Sequence, residues 1–134
     1  MVNFWVGQHV SVERVVTEGD LTVIHQFVLE NPPACGEPII GSSGQWSGQE
    51  VLIGSLINGL LNICLPGPGS TLLSQQFEYL AAVNPGDTLT ARVEVITWQP
   101  EKRLVTLKTD CFNQARKQIL TGQAVLVVAA ASTT

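Results

Sequence analysis

Apolar residues near the start of the chain alternate with polar ones. Val10, Val12, Val15 and Val16 stand among Ser11, Glu13 and Arg14, a two-residue period that predicts a strand over 8–16. The step then lengthens. Leu21, Ile24, Phe27 and Val28 recur at three- and four-residue intervals, so an amphipathic helix is expected over 18–29. Thr17-Glu18-Gly19-Asp20 supplies its start, because a Thr hydroxyl and a carboxylate three residues on can each serve an unpaired backbone N–H. Asn31-Pro32-Pro33 must end it, since proline lacks a donor and restricts the residue before it. Residues 31–46, rich in Pro, Gly and Ser, read as a long loop, and long loops in compact domains are often functional.

A second helix is expected over 47–64. Ser47 and Glu50 have capping-box spacing. Leu52, Ile53, Leu56, Ile57, Leu60, Leu61 and Ile63 cover most of its circumference, and only the Ser55–Asn58–Asn62 line is polar. A helix apolar nearly all round must be enclosed by other structure. Gly54 and Gly59 permit close approach of another backbone. After the rigid turn Leu65-Pro66-Gly67-Pro68-Gly69-Ser70 the period returns to two. Strands are expected over 72–80, 88–98, 103–112 and 118–129, with turns at 84–87, 99–102 and 113–117. The last three strands form an antiparallel meander. The expected fold is α+β: a single hot-dog domain over 1–134, with four to five antiparallel strands wrapped around the buried helix. One such unit leaves a sheet edge and apolar surface open, so a homodimer or larger assembly is expected.

Composition narrows the partners. Apolar residues make up 45 % and charged residues 13 % of 134, which excludes disorder. The net charge of −4 leaves no basic footprint for nucleic acid. Arg14 is the only base before residue 87, and Glu50 is the only charge between Pro38 and Phe77. A stretch that bare is core or interface. Cys35, Cys64 and Cys111 are odd in number and lie far apart. With only His9 and His25 beside them they make no zinc pattern, so no metal or other cofactor is expected. Unpaired cysteines and an N-terminus without signal-peptide character point to the cytoplasm. The charge-free run 51–65 is shorter than the about 20 residues of a membrane span.

At this point the chain resembles the MaoC-like hot-dog hydratases, which act on (R)-3-hydroxyacyl and enoyl thioesters. Phe4-Trp5-Val6-Gly7-Gln8 is similar to the family's F-x-x-G-x opening, and Thr17-Glu18-Gly19-Asp20 to its T-E-x-D helix start. Pro38-Ile39-Ile40 resembles the P-I-[IV] before its central helix. Leu65-Pro66-Gly67-Pro68-Gly69-Ser70 is the most specific match. Pro85-Gly86-Asp87-Thr88-Leu89-Thr90-Ala91 and Asn113-Gln114 match the family's G-D-T-x-T-A and N-Q. The resemblance covers nearly the whole chain and implies an acyl-thioester ligand, carried by coenzyme A or a carrier protein. The family's catalytic segment, D-x-N-P-x-H-x-D followed by H-G, is where this chain departs. Asn31-Pro32 match, but Leu29, Ala34 and Gly36 stand at the Asp, His and final Asp. The later H-G falls on Gln49-Glu50 or on Gly41-Ser42, according to the anchor chosen.

The expected function is therefore an acyl-thioester binding protein without the standard hydratase dyad, acting alone or beside a catalytic hot-dog partner. Two alternatives stand beside it. A hydratase or dehydratase with relocated residues would use Glu30 and His25, a carboxylate and an imidazole for acid–base work. A thioesterase would use Glu50, with Gln49 and free N–H groups of the helix start polarising the thioester carbonyl. The bland readings are a solvated Glu30, a core His25 and a Glu50 that merely caps its helix. Asn31, Gln49, Trp46 and Asn58 are the candidate ligand-binding residues. Arg92, Arg103, Arg116 and Lys117 could meet coenzyme phosphates or form a solvated face.

Overall fold

The structure, a computed structural model, describes residues 3–23 and 49–129. Five strands make one antiparallel sheet: β1 (His9–Val15), β2 (Thr71–Tyr79), β3 (Thr88–Gln99), β4 (Leu104–Phe112) and β5 (Gln118–Val127). Their order across the sheet is β1-β3-β4-β5-β2. A helix, α1, begins at residue 18 and is described to residue 23. The long helix α2 (Gln49–Ile63) packs on one face of the sheet. This is the hot-dog arrangement, and the three-strand meander is present as β3, β4 and β5. No described helix is long and apolar enough to cross a membrane.

The two-residue period of the meander decides which face becomes core. Leu89, Ala91, Val93 and Val95 of β3 are buried beneath α2, as are Val105, Leu107 and Cys111 of β4 and Leu120, Ala124 and Leu126 of β5. The registers Ala91↔Cys111↔Leu120 and Val95↔Leu107↔Ala124 stack these residues in rows across the sheet. Opposite charges alternate on the outer face, where Arg92 faces Asp110 and Glu94 faces Lys108. One inner position breaks the apolar rule. Thr109 is fully buried between Val93 and Gly122, and its hydroxyl has no hydrogen-bond partner.

The motifs that carried the resemblance turn out to be clasps of the scaffold. Thr17 Oγ1 accepts from the Asp20 N–H at 3.1 Å, and Asp20 Oδ2 accepts from the Thr17 N–H at 3.1 Å, so the expected cap of α1 is made in full. In the Leu65–Ser70 turn, Gly67 N–H donates to Leu61 O at 3.0 Å and Gly67 holds a φ of 96° that other residues rarely adopt. Asn113 Oδ1 accepts from the N–H groups of Ala115 and Lys117. Gln114 ties that turn to the start of β3, accepting from Thr88 N–H at 3.0 Å and donating to Asp87 Oδ1 at 3.1 Å. Phe4 packs edge-on to Trp98 with ring centroids 4.9 Å apart.

The described residues refine two expectations. The sheet alone does not enclose α2. Ile53, Ile57, Leu60 and Leu61 form the buried stripe, but Val51 and Ile63 are exposed, Ile63 by 73 %. Among the described residues the sheet covers one side of α2 only. Among the described residues β1 pairs only with β3 and β2 only with β5, so two sheet edges are open there where one was expected. Ser47, the expected cap of α2, lies outside the described residues.

Candidate functional site

The site is built around α2, whose two flanks meet different strands. On the β2 flank, three rungs run in step. Glu50, Gly54 and Asn58 are spaced by four residues, about 6 Å of helix. Tyr79, Phe77 and Gln75 are spaced by two, about 6.8 Å of strand. Tyr79 Oη donates to the Glu50 carbonyl oxygen at 3.3 Å. Gly54 leaves room for the Phe77 ring, since a Cβ there would stand 3.3 Å from Phe77 Cε2. Gln75 Nε2 donates to Asn58 Oδ1 at 2.7 Å. The ring of Phe77 also needs Gly122 behind it, where a Cβ would come within 2.9 Å of Phe77 Cδ1 and collide with the Gln76 carbonyl oxygen. Phe77 and Tyr79 stack edge-on at 6.0 Å. Among the described residues β2 side chains thus seal this flank, with Tyr79 exposed at its end.

Among the described residues the opposite flank, toward β1, is open. A cleft of about 200 Å³ is lined by Leu52, Ser55 and Leu56 of α2, Val16 and Leu89 of the sheet side, and Arg14 and Asp20. Val16 and Leu89 are 2 % and 1 % exposed, so the floor is dry core. Leu52 and Leu56 are half-buried and form an apolar wall. Ser55 is exposed at the rim. Arg14 Nη2 donates to Asp20 Oδ1 at 2.9 Å, with the Arg14 side chain 57 % exposed and Asp20 18 %. The Arg14 guanidinium, together with the Thr17 N–H, holds the Asp20 carboxyl below its ordinary range. Asp20 is thus an anion whose oxygens are already engaged. The arrangement is an apolar slot with a charge-balanced pair at its side, suited to a short apolar chain that ends in a polar group.

The sequence candidates separate between the flanks. Glu50 and Asn58 both sit on the sealed side. Glu50 is exposed, does not line the cleft, and lies near enough to Tyr79 that its charge adds to burial in pushing the phenol above its ordinary value. Asn58 is half-buried and engaged with Gln75. Gln49 opens α2, and its side chain lies outside the described residues. His25, Glu30, Asn31 and Trp46 also lie outside them. Arg92 is taken up by Glu94 at 2.6 Å. Arg103 and Arg116 occupy turns at opposite ends of β4, about 30 Å apart along nine residues of strand, so they cannot converge on one phosphate group. Burial pushes the Cys111 thiol up to about 11, which leaves it unreactive at neutral pH.

Arg14, Asp20 and Ser55 are the cleft residues that sequence reasoning did not assign to a site. The available signals were the isolation of Arg14 in an otherwise acidic first half and the position of Ser55 at the head of the polar line on α2. Among the described residues no group of three or more His, Cys, Asp or Glu could hold a metal ion.

No protein-family model matches the chain. It is 30 % identical over 127 residues to an (R)-specific enoyl-CoA hydratase of Rhodospirillum rubrum, covering 92 % of this chain and 88 % of that one. Its structure is similar to the (R)-hydratase of Aeromonas caviae involved in PHA biosynthesis, with TM-score 0.78 and 28 % identity over 96 % of this chain and 100 % of that one. The unliganded R-hydratase PhaJ1 of Pseudomonas aeruginosa superposes with TM-score 0.76 and 28 % identity over 98 % and 90 % of the two chains.

Proposed function

The chain belongs to the MaoC-like hot-dog family of (R)-specific enoyl-CoA hydratases, and we propose that it binds an acyl thioester with the acyl chain in the cleft on the β1 flank of α2. What supports this reading is the cleft itself: Leu52, Leu56, Val16 and Leu89 make an apolar slot on the flank that no described strand seals. Such a slot gains free energy by taking methylenes out of water, about 0.8 kcal/mol for each one buried. The hydration step of the relatives is a separate matter. The positions that resemble the family's Asp and His are Leu29 and Ala34, neither of which can move a proton. The reading is accordingly a binder of acyl thioesters, on coenzyme A or a carrier protein, that lacks the standard dyad. Hydrolysis at Glu50 would need a site other than this cleft, which Glu50 does not line.

Assembly belongs to the same reading. The free edge of β2 runs Thr71–Tyr79 with a single charge, Glu78, and exposes Leu72 and Leu73. The β1 edge is shorter and carries Glu13 and Arg14. Natural proteins blunt bare edges with charge or cover them. A second copy laid along β2 would satisfy that edge, and a homodimer is the proposed state.

The test is to mix the purified protein with crotonyl-CoA. Binding is followed by calorimetry, the enoyl absorbance band is recorded, and free thiol is monitored in parallel. Saturable binding with a persistent enoyl band and no thiol is the expected result. Loss of the band without thiol would show that hydration survives through other groups, with His25 and Glu30 the first to be substituted. Thiol release would point to Glu50. If neither crotonyl-CoA nor longer acyl-CoA binds, the reading falls.

A further inference from the structure

We draw no further inference here: the strongest candidate, the exposed apolar surface that Trp5 and Val6 form ahead of β1 at the end of the sheet shared with the Lys102–Arg103 hairpin, is an unpartnered face, and nothing in the structure shows what covers it.

Discussion

The two flanks of α2 differ in what faces them. On the β2 side each helix position has a strand residue of matching size: Glu50 with Tyr79, Gly54 with Phe77 and Asn58 with Gln75. On the β1 side Leu52, Ser55 and Leu56 look onto Val16 and Leu89 across an unfilled slot. The helix offers Glu50, Gly54 and Asn58 to the first side and the more apolar Leu52, Ser55 and Leu56 to the second. The supply of facing side chains differs as well. β2 brings two aromatic rings and a glutamine inward, and Gly54 and Gly122 make way for them. β1 is a peripheral strand, exposed along nearly its whole length, with only Val10 packed against the core. The proposed reading assigns stability to the first flank and ligand binding to the second.

The largest predicted effect breaks the sealed flank. Gly122→Val would drive a side chain into the Gln76 carbonyl and the Phe77 ring, neither of which can move without parting β2 from β5. A loss of about 3 kcal/mol or more is expected in denaturant unfolding. Next comes a pair of neighbours on α2. Ile57 is fully buried and Leu56 is half-buried at the slot. Ile57→Ala should cost about 3 kcal/mol. Leu56→Ala should cost about 1 kcal/mol and register in acyl-thioester binding instead. Equal destabilisation by the two would mean that the slot is closed in solution.

A third change should add stability. Thr109 is buried beneath α2 with an unpartnered hydroxyl. Thr109→Val removes that group at nearly constant shape, and a gain of about 1 kcal/mol is expected in the same unfolding assay. The smallest effect concerns pH. The Asp20 carboxyl is held below its ordinary value of 3.8 by Arg14 and Thr17. A depressed folded-state value means that the group stabilises the fold above pH 3.8 and loses that contribution as the pH falls through its folded value. Thermal unfolding of wild type and Asp20→Asn should therefore differ at neutral pH and converge in strong acid. A difference that persists there would assign the effect to something other than the carboxylate.

Much of the scaffold was legible because its signals are local. The Thr17–Asp20 cap, the Leu65–Ser70 turn and the alternation of β3 and β4 are written within a few residues, and each formed as read. The flanks of α2 were not legible. Residues 52–57 look alike as a helical run, and which of them meets a strand depends on β1, β2 and β3, which lie elsewhere in the chain. Enclosure was expected because apolar positions surround the helix, yet Val51 and Ile63 show that an apolar residue can be left for another surface to cover. Gly54 and Gly59 read alike in sequence. Only Gly54 has a ring against it, while nothing lies within 4 Å of a Cβ at Gly59. Arg14 and Asp20 were separate features of a strand and a cap until the turn between them placed both beside the slot.

The most direct test of the central claim is to fill the slot and measure binding. Leu56→Trp adds an indole where the cleft now stands, with no strand side chain to displace. Calorimetric titration with crotonyl-CoA should show saturable binding to wild type and none to Leu56→Trp, with unfolding midpoints nearly equal. Undiminished binding by Leu56→Trp would contradict the account and place the acyl chain somewhere other than the open flank of α2.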